Sequence, residues 1–507
     1  MLMQDVPILK RTGDWSGPVS RVCYDSRRCG ENSLFVAIPG LVVDGHDYVS
    51  EAIRRGARVI VHEKAFSPAP GIMAVQVSES RRALGFIGRN FYGDPSSRVC
   101  LVGVIGTNGK TTVTYLLESV FTAAGWSAGV LGTVNYRFKG NVQSSPHTTP
   151  ESLEMHRILR EMVDDGVTHV VAEVSSHSVD LRRVDACDFD LGIFTNLTQD
   201  HLDYHKTMDN YFEAKKRFFS EILPSGKKNP HRRMVVNGDD PWGRRLLQEV
   251  SLPAMSFGMD RPCDVVAREA VFSLHGIQAR VETAEQGFSL SSPLVGRFNL
   301  YNILAAVTAA LALRIPVGAI QEGIAVLKHV PGRLEKVSGP GEPEVFVDYA
   351  HTDDALRRVL QNLSRFKQGR LLTLFGCGGD RDRGKRPLMG RAAAELSDGV
   401  ILTSDNPRTE EPLEIIRQIE AGIPSELMKK VSPEAFAGTV PGRHYSIIPD
   451  RAAAIKKIIT VAGPADLVLI AGKGHEDYQI LGNRRISFDD RLCARAALAG
   501  RVQEKSH

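Results

Sequence analysis

Short apolar segments rich in valine and isoleucine alternate with helical patterns along the whole chain of 507 residues. This alternation is typical of α/β proteins, in which helices connect the strands of parallel sheets. No fixed-period repeat and no low-complexity tract interrupts it. We therefore predict parallel sheets, with strands at 33–38, 58–62, 99–105, 167–172, 190–195, 345–348, 371–375, 399–403 and 467–471.

The length of the chain suggests three domains, at roughly 150 residues each. A turn-rich segment at 91–97 and the segment Val330-Pro-Gly-Arg333 divide the apolar patterns into three groups. Hydrophobic residues make up 42% and charged residues 24% of the chain, which excludes a disordered protein. We predict domains at 1–97, 98–332 and 333–507.

Charge and cysteine content exclude several classes of protein. The chain carries 63 Lys and Arg against 59 Asp and Glu, a net charge of +4 without a basic cluster, so we expect no nucleic-acid partner. Its most apolar stretch, 303–313, is shorter than the roughly 18 to 20 residues of a membrane span, and no signal sequence begins the chain, so we expect no membrane insertion. The 7 cysteines are scattered and form no Cys-x-x-Cys pair, which favours reduced thiols. We predict a cytoplasmic protein.

A glycine-containing loop follows the predicted strand that ends at Ile105. Between this strand and a helical pattern, the chain reads Gly106, Thr107, Asn108, Gly109, Lys110, Thr111 and Thr112. A strand, a glycine turn and a helix N-terminus together present backbone N–H groups to phosphate, Lys110 could contact the β- and γ-phosphates, and Thr111 could hold Mg²⁺. Position 104 is Val, where the general phosphate-loop pattern has its first glycine. The alternative, an incidental turn with a lysine, is disfavoured by this context, and we predict ATP binding.

A lysine interrupts the apolar side of a predicted amphipathic helix at 208–223. Lys215 lies three residues after Phe212 and three before Phe218, whereas Lys216 points elsewhere. Burial lowers the pKa of an ammonium group, and the neutral amine could react with CO₂ to form a carbamate that binds Mg²⁺. The alternative is a lysine whose stem follows the stripe to solvent, and periodicity alone favours it.

Further polar residues follow two predicted strands. Glu173 ends the strand at 167–172, and Asn196, Asp200 and His201 follow the strand at 190–195. Ligands of α/β sheets bind at the carboxyl ends of strands, so Glu173 could share Mg²⁺ with Thr111 and the phosphates. The His and Asp residues could suggest zinc, but an ATP site requires a cation that prefers oxygen ligands.

These residues form an ordered series that resembles the Mur ligase family. The resemblance covers residues from about 20 to 490. Its motifs are Gly106–Thr112, Glu173-Val-Ser-Ser-His177, Asn196-Leu with Asp200-His-Leu-Asp-Tyr-His205, Tyr211-Phe-Glu-Ala-Lys215, Gly296-Arg-Phe-Asn-Leu-Tyr-Asn302, Pro331-Gly-Arg333, Val347-Asp-Tyr-Ala-His351, Phe375-Gly-Cys-Gly-Gly-Asp-Arg381 and Ala471-Gly-Lys-Gly-His-Glu476.

The resemblance implies an architecture and a reaction. The architecture has an N-terminal UDP-binding domain, a central P-loop ATPase-like domain with a parallel sheet, and a C-terminal Rossmann-like domain. In the implied reaction, ATP phosphorylates the terminal carboxylate of a UDP-muramoyl dipeptide, and an amine displaces phosphate from the acyl phosphate to form an amide. Its substrates and cofactors would be ATP, Mg²⁺, the UDP-muramoyl dipeptide and an amino acid.

The resemblance also assigns residues. It implies catalytic roles for Lys110, Lys215 and His201, with a carbamate on Lys215 and Mg²⁺ ligands Thr111, Glu173, His201 and the modified Lys215. ATP would contact Gly106 to Thr112, Asn302, Arg333 and Asp348. The UDP-muramoyl substrate would contact Tyr24, Ser26, Thr148, Thr149, Ser175 and Arg183.

The segment Asp405-Asn406-Pro407-Arg408 after the strand at 399–403 indicates the amino acid that is added. Pro407 stiffens the loop, and the planar guanidinium of Arg408 suits a carboxylate. A surface turn with a solvated arginine is the alternative. The segment resembles the signature of family members that add meso-diaminopimelate, in which the arginine binds the distal carboxylate. Arg381, Gly472 and Glu476 match other positions that bind this amino acid. L-Lysine is the alternative substrate.

Four departures and two rival functions accompany the resemblance. Thr149 is followed by Pro150, and Thr352 is followed by Asp353 and Asp354 where the family pattern has Pro-Asp. Position 181 is Leu where the family pattern has Gln, and residues 41–43 are apolar where relatives have polar side chains near the nucleotide. Folylpolyglutamate synthase shares the ATP machinery but would not need the N-terminal domain that contains Ser26. A P-loop ATPase acting on a macromolecule is the rival from another class. We expect a monomeric ligase.

Overall fold

The computed structural model describes residues 2–40, 43–436 and 442–504. Within these residues, the strands form three large sheets that follow one another along the chain, and one separate hairpin. Helices connect the strands of each large sheet. The α/β class and the three-part organisation predicted from the sequence are confirmed. Leu41 and Val42, two of the three apolar residues at 41–43, lie outside the described residues.

The first sheet belongs to the N-terminal part of the chain. Its strands are β1 (Ile8–Thr12), β2 (Arg21–Cys23), β3 (Ser33–Val36), β4 (Ala57–His62) and β5 (Met73–Val77). They lie in the order β1-β5-β4-β3-β2, and only the edge strand β1 among them is antiparallel to its neighbour. Two helices accompany this sheet, α1 (Val49–Arg54) and α2 (Ser80–Phe91).

The middle sheet has eleven strands and carries the phosphate loop. Its strands are β6 (Cys100–Ile105), β7 (Ala128–Leu131), β8 (Asn135–Phe138), β9 (Asn141–Ser144), β10 (His169–Val174), β11 (Leu191–Phe194), β12 (Arg233–Asn237), β13 (Ala254–Gly258), β14 (Val265–Ser273), β15 (Gly276–Thr283) and β16 (Gly287–Ser292). The order is β16-β15-β14-β13-β12-β11-β6-β10-β7-β8-β9, with parallel pairing from β14 to β7 and antiparallel strands at both ends.

The helices of the middle part cover both faces of this sheet. They are α3 (Lys110–Ala123), α4 (Ser152–Asp164), α5 (Ser176–Asp180), α6 (Leu202–His205), α7 (Met208–Arg217), α8 (Leu223–Ser225), α9 (Pro241–Glu249), α10 (Arg297–Ala312) and α11 (Val317–Val326). Helix α3 buries Val113, Leu116, Leu117 and Val120 in the core, as the sequence pattern predicts. Among the described residues, no helix combines the length and the apolar character that crossing a membrane requires.

The C-terminal sheet has seven strands and a Rossmann-like alternation with helices. Its strands are β17 (Glu335–Lys336), β18 (Glu344–Asp348), β19 (Leu371–Phe375), β20 (Gly399–Leu402), β21 (Lys429–Lys430), β22 (His444–Ile447) and β23 (Leu467–Ala471), in the order β17-β18-β23-β19-β20-β22-β21. The hairpin β24 (Tyr478–Leu481) and β25 (Arg484–Ser487) follows. The helices are α12 (Asp353–Ser364), α13 (Lys385–Leu396), α14 (Pro412–Glu420), α15 (Arg451–Val461) and α16 (Asp490–Glu504).

The nine predicted strands all form, as β3, β4, β6, β10, β11, β18, β19, β20 and β23, with ends within about two residues of those predicted. One consequence concerns Glu173, which lies inside β10 rather than after it, because the strand continues to Val174. The other strands of the three sheets, among them the antiparallel additions β8–β9 and β14–β16, were not predicted. In these antiparallel additions, for example in β15, buried residues alternate with exposed ones. They therefore lack the continuous apolar runs of the central strands.

The helix predicted at 208–223 forms, but it is not α-helical throughout. Helix α7 ends at Arg217, and residues Phe218–Ile222 form a π-helical turn before α8. This turn brings the rings of Phe218 and Phe219 onto the central strands, where a Cβ at Gly192 would lie 2.8 Å and 2.9 Å from them. The wider turn and the glycine together let both rings enter the core, a constraint from the partner strands that helical periodicity does not contain.

A buried histidine at the junction of the N-terminal and middle parts predicts acid sensitivity. His156 on α4 is fully buried, and neither ring nitrogen has a hydrogen-bond partner among the described residues. Burial, with a smaller effect of the Arg89 cation, lowers the pKa of His156 to about 3. The unfolded chain, with an ordinary histidine pKa of about 6.5, therefore binds more protons between pH 6.5 and 3.

Stability is accordingly expected to fall as the pH decreases below about 6.5. The contribution of His156 to the free energy of unfolding should decrease by about 2 kcal/mol between pH 6.5 and 5. We expect the variant His156→Leu to lose less stability over this range than the wild type, measured by urea unfolding at both pH values. The exposed His231 provides the control His231→Leu. Equal losses in His156→Leu and wild type would contradict the prediction.

Candidate active site

The phosphate loop connects β6 to the N-terminus of α3, as predicted. Gly106 and Gly109 have positive φ angles of 154° and 87°. A Cβ at Gly106 would lie 1.9 Å from Thr195 Oγ1, and one at Gly109 would lie 2.2 Å from Asn302 Oδ1. Both positions therefore require glycine for conformation and for space. The first turn of α3 leaves its backbone N–H groups directed at the loop, which is the arrangement that binds anions.

The two residues after β11, Thr195 and Asn196, hold the phosphate loop from one side. Asn196 accepts the N–H of Thr107 with its carbonyl at 2.9 Å and the N–H of Asn108 with Oδ1 at 3.0 Å. Its neighbour Thr195 donates to the carbonyl of Asn108 at 2.7 Å. The two parallel strands β6 and β11 are adjacent, so their carboxyl ends meet here. These hydrogen bonds hold the loop in this conformation.

Thr111 and Glu173 are in direct contact. Thr111 Oγ1 donates to Glu173 Oε1 at 3.0 Å, and both side chains are buried. Thr133 reinforces the carboxylate, since its N–H donates to Oε1 at 2.9 Å and its hydroxyl to Oε2 at 3.0 Å. Arg333 from the C-terminal part reaches Thr111 Oγ1 at 3.3 Å. The oxygens that the sequence assigned to Mg²⁺ therefore lie together.

Two lysines converge on one carbonyl of the phosphate loop. Lys110 Nζ donates to Gly106 O at 2.9 Å, and Lys215 Nζ donates to the same oxygen at 3.0 Å. Lys215 is only 1% exposed, and its Nζ lies 4.5 Å from the centroid of the Tyr211 ring. Burial, and then the Lys110 cation, lower the pKa of Lys215 well below that of a free lysine. The structure thus selects the buried alternative for Lys215 over the solvent-directed one.

His201 lies at the mouth of the cleft next to Asp200. Its Nε2 is 3.4 Å from Asp200 Oδ2, its backbone φ is 54°, and its ring centroid is 4.9 Å from that of His177. Desolvation in the cleft lowers the pKa of His201, although 45% of its side chain is accessible, so the neutral ring predominates near pH 7. Across the described residues, no group of three or more His, Cys, Asp or Glu is arranged to hold a metal ion.

The predicted nucleotide residues come from two parts of the chain. Asn302 on α10 is buried beside the loop and donates to Asn299 Oδ1 at 3.0 Å. Asp348, at the end of β18, accepts the N–H groups of Leu334 at 2.6 Å and Ala350 at 2.7 Å, and burial raises the pKa of Asp348. Arg333 lies 4.4 Å from the centroid of the Tyr349 ring. These residues close the nucleotide side of the site.

Four of the residues predicted to contact the UDP-muramoyl substrate form one group. Thr149 Oγ1 donates to Glu173 O at 2.8 Å and accepts the N–H of Ser175 at 3.1 Å, and Arg183 Nη1 donates to Thr149 O at 3.2 Å. The hydroxyl oxygens of Thr148 and Thr133 are within hydrogen-bond distance, 3.1 Å apart. This group adjoins Glu173 and Thr111, two of the predicted Mg²⁺ ligands.

The two remaining UDP-side residues lie in the N-terminal part. Ser26 donates to Glu51 Oε2 at 2.9 Å, and Tyr24 is half-buried, with Glu151 and Arg183 near enough to influence its pKa, which burial raises. Arg81 joins the two parts through an ion pair with Glu151 at 3.2 Å. Leu181, the departure from the family pattern, caps α5 and is half-buried.

The residues predicted to bind the amino acid follow three adjacent parallel strands. Arg381 follows β19, Asp405 to Arg408 follow β20, and Gly472 and Glu476 follow β23. Since the carboxyl ends of parallel strands meet at one edge of the sheet, these segments come together. Pro407 and Asn406 are buried, whereas Arg408 is half-buried and Arg381 is exposed.

A fully buried lysine lies beneath this group. Lys473 Nζ contacts Glu476 Oε2 at 2.9 Å, Asn406 Oδ1 at 3.2 Å and Asp405 Oδ1 at 3.4 Å. Glu476 also accepts from Asn406 Nδ2 at 2.9 Å. Burial, and then the Asp405 carboxylate, raise the pKa of Glu476. One cation thus serves two carboxylates, which leaves an acidic site suited to an ammonium group.

Two cavities meet between these groups. The first, of 490 Å³, is lined by residues 107–112 and by Thr148, Glu173, Asn302, Arg333 and Asp348. The second, of 1030 Å³, is lined by Arg381, Asp405, Asn406, Arg408, Gly472 and Glu476. Five residues line both of them, namely Asp200, His201, Tyr349, His351 and Thr352. A reacting group bound next to these five shared residues would be accessible from both cavities.

Sequence reasoning missed two residues of the site. Thr133 follows β7, and recognition of Ala128–Leu131 as a strand would have placed it at a carboxyl end. Lys473 stood within the quoted motif Ala471–Glu476 but received no role, because a lysine between two glycines gives no sign of complete burial.

Three models of one known protein family match most of the chain. Residues 18–92 match the catalytic domain of the Mur ligase family, residues 104–310 the Mur ligase middle domain, and residues 332–474 the Mur ligase glutamate ligase domain. A protein of Geobacter metallireducens, named UDP-N-acetylmuramoyl-L-alanyl-D-glutamate–2,6-diaminopimelate ligase, is 46% identical over 467 residues, which cover 92% of this chain and 91% of that protein.

Solved structures give the same result for the fold. A structure of UDP-N-acetylmuramoyl-L-alanyl-D-glutamate–2,6-diaminopimelate ligase has a TM-score of 0.68 and 31% identity, and covers 96% of both chains. A folylpolyglutamate synthase of Mycobacterium tuberculosis complexed with ADP and AMPPCP has a TM-score of 0.61 at 18% identity, over 78% of this chain and 92% of that one. At this identity the second likeness shows the fold alone.

Proposed function

The chain belongs to the Mur ligase family, and from this premise we infer that it uses ATP to join 2,6-diaminopimelate to UDP-N-acetylmuramoyl-L-alanyl-D-glutamate. The product would be a peptidoglycan precursor. Family membership disfavours an ATPase that acts on a macromolecule. The match of residues 18–92 to a Mur ligase domain disfavours a folylpolyglutamate synthase, which aligns with only 78% of the chain.

The observation that carries this function is the wall common to the two cavities. A ligase must pass an activated carboxylate from the nucleotide to the incoming amine without releasing it. The first cavity contains the phosphate loop, and the second contains Arg408 and Glu476. A substrate carboxylate held near Asp200 and His201 would be accessible from both.

The reaction divides into two balanced steps. In the first, an oxygen of the substrate carboxylate attacks the γ-phosphorus of ATP, the bond to the bridging oxygen breaks, and ADP leaves. In the second, the amine attacks the acyl carbon, and the tetrahedral intermediate loses phosphate and a proton to form the amide. Lys110 and the N–H groups at the start of α3 would offset charge on the transferred phosphoryl group.

The residues present fit Mg²⁺. Thr111 Oγ1 and Glu173 Oε1 are oxygen donors 3.0 Å apart at the end of the phosphate loop, and hard oxygen ligands are those that Mg²⁺ prefers. We propose that Thr111, Glu173 and His201 hold it together with the phosphates. When bound, Mg²⁺ supplies positive charge that stabilises the phosphoryl group during transfer. Glu173 is kept in place for this by Thr133.

We propose that Lys215 carries a carbamate. Its complete burial and the adjacent Lys110 favour the neutral amine, which can attack CO₂ to form an N–C bond and release one proton. Lys215 donates to a backbone carbonyl, and among the described residues it forms no ion pair that would oppose the modification. The resulting anion would lie beside the phosphate loop and would be a further oxygen ligand for the cation.

We further propose that the amino acid is the meso isomer of diaminopimelate. Arg408 would bind its distal carboxylate, and Glu476 its distal ammonium group. Asp405, Asn406, Pro407 and Gly472 would form the remainder of the pocket, with Arg381 at its entrance. L-Lysine has the ammonium group without the carboxylate, so it would leave the guanidinium of Arg408 without a partner.

An assay of phosphate release tests the function directly. The protein is incubated with ATP and Mg²⁺, with each of UDP-N-acetylmuramoyl-L-alanyl-D-glutamate and diaminopimelate added or omitted in turn, and the peptide product is followed by mass spectrometry. We expect rapid phosphate release only when all substrates are present, with one amide formed per phosphate. Equal ATP hydrolysis without the muramoyl substrate or the amino acid would exclude a ligase of this type.

Other properties are also proposals. We propose that the domains extend over 1–97, 98–332 and 333–507, that the protein acts in the cytoplasm, and that it is a monomer that binds only small molecules. Light scattering in solution at several protein concentrations gives the oligomeric state.

A further inference from the structure

Contacts with two neighbouring segments hold the backbone and the side chain of Arg408. Its backbone φ is 53°, in the left-handed region that residues with side chains rarely adopt. The hairpin after β23 holds the backbone, because Arg408 N–H donates to Ile480 O at 3.2 Å and Arg408 O accepts from Gly482 N–H at 2.8 Å. The guanidinium is held elsewhere, since Nη1 donates to Gly379 O at 2.7 Å. The direction of this side chain therefore depends on where Gly379 lies.

Gly379 belongs to the 376–384 loop, which packs against the 403–411 loop that carries Arg408. Gly379 N–H donates to Asn406 O at 2.9 Å. A Cβ at position 379 would lie 1.8 Å from Pro407 O. The two backbones can therefore approach this closely only because residue 379 is glycine. Neither loop contains a long helix or strand that would fix this contact from within.

An ion pair behind the loops connects them. Arg386, in the first turn of α13, is fully buried, and its Nη1 and Nη2 each donate to one carboxylate oxygen of Glu410 at 2.9 Å. Arg386 Nη2 also donates to Gly378 O at 3.1 Å, and Nη1 to Gln418 Oε1 at 2.8 Å. Glu410 Oε1 accepts the N–H of Asp380 at 2.7 Å. The Arg386–Glu410 pair thus contacts both loops, and through Gln418 it also contacts α14.

Arg386 does not belong to the pocket that it supports. It lies outside the lining of the 1030 Å³ cavity, whereas Glu410 lies at the edge of that cavity. The bidentate hydrogen bonds from Arg386 lower the pKa of Glu410 to about 2, so the carboxylate stays ionised at neutral pH. A bidentate guanidinium fixes the relative orientation of the groups it joins, which an ammonium group cannot do.

We propose that Arg386 and Glu410 are positioning residues that set the selectivity of the amino-acid site by fixing the 376–384 loop against the 403–411 loop, and hence the guanidinium of Arg408. The inference rests on the proposed function, because it assumes that Arg408 recognises the distal carboxylate. Loss of the pair should weaken discrimination between diaminopimelate and L-lysine, without affecting the nucleotide side of the site.

The test compares Arg386→Lys and Glu410→Gln with a matched control. Arg370 also forms an ion pair in the C-terminal domain, in which Nη2 and Nε both donate to Asp466 Oδ2, at 2.7 Å and 3.1 Å, but it lies at the opposite end of the same sheet. The control is therefore Arg370→Lys. For each protein, kcat/KM is measured with meso-diaminopimelate and with L-lysine, together with the KM for ATP and the thermal midpoint.

We expect both Arg386→Lys and Glu410→Gln to lower kcat/KM for diaminopimelate at least tenfold, to lower the preference over L-lysine by a similar factor, and to change the KM for ATP less than twofold. Arg370→Lys should keep the wild-type preference. A wild-type preference in folded Arg386→Lys and Glu410→Gln would overturn the proposal. Unfolding of both would also count against it, because the pair would then be required for folding in general. A wild type without diaminopimelate-dependent activity would reject the proposed function instead.

Discussion

The variant Lys215→Ala is expected to lose ligase activity by about 100-fold or more, because it removes a charged group beside the transferred phosphoryl group. Binding of ATP should persist, since residues 106–112 remain intact. The measurement is kcat for amide formation, with nucleotide affinity and thermal midpoint determined on the same preparation. Lys216→Ala is the matched control, because Lys216 is the next residue of α7 but forms ion pairs with Glu213 and Glu249 on the outer surface.

Two further observations separate a carbamate from a simple ammonium role. Small carboxylates or bicarbonate should partly restore the activity of Lys215→Ala by supplying the missing anion. The wild type incubated with ¹³C-labelled bicarbonate should show a carbamate carbon resonance that Lys215→Ala lacks. An unmodified Lys215 in the fully active enzyme, or an alanine variant with wild-type kcat, would refute the proposal and leave the ligase function standing.

The second large effect concerns the amino acid. We expect the wild type to prefer meso-diaminopimelate over L-lysine by about 1000-fold in kcat/KM, because a buried site that lacks its polar partner discriminates by several kcal/mol. Arg408→Ala should lower kcat/KM for diaminopimelate by about 100-fold, as expected when one partner of a charged hydrogen-bonded pair is truncated, with little change in the KM for ATP. Arg417→Ala, an exposed arginine paired with Glu414 on α14, is the control.

Comparable kcat/KM values of the wild type for the two amino acids would defeat the assignment of diaminopimelate. A loss in Arg408→Ala that is equal for diaminopimelate and L-lysine would show instead that Arg408 supports the loop without reading the distal carboxylate. Arg408→Lys distinguishes charge from geometry, because it retains the cation but loses the planar fork.

Much of the fold was predictable from local patterns. The central strands of the middle and C-terminal sheets are continuous apolar runs, and the phosphate loop combines a strand, two glycines and a helix within about 25 residues. The antiparallel strands β8–β9 and β14–β16 were missed because they are half polar and lie at the ends of the middle sheet. The π-helical turn at Phe218–Ile222 was missed because its cause, space beside Gly192, lies on another strand.

The residues of the candidate site that belong to sequence motifs were predictable, whereas two residues that support them were not. Motifs in family order identified Thr111, Glu173 and Arg408, and the structure brings each of them next to the other residues predicted for the same substrate. Sequence patterns assigned no role to Lys473 or Thr133, since both residues act through contacts with residues that are distant along the chain. Lys473 meets Asp405 across 68 positions, and Thr133 meets Glu173 across 40.

The sequence by itself determined the α/β class, the order of the motifs and the residue types available for phosphate and carboxylate binding, because strand and helix patterns are set by neighbouring residues. Only the tertiary structure decided that Lys215 is buried, although its periodicity favoured a solvent-directed stem, and that Arg386 joins two loops. Burial and ion pairing depend on which strand ends lie next to one another, and the order of strands in the sheet decides this. The order results from pairing between strands that are dozens of residues apart, so no local sequence pattern contains it.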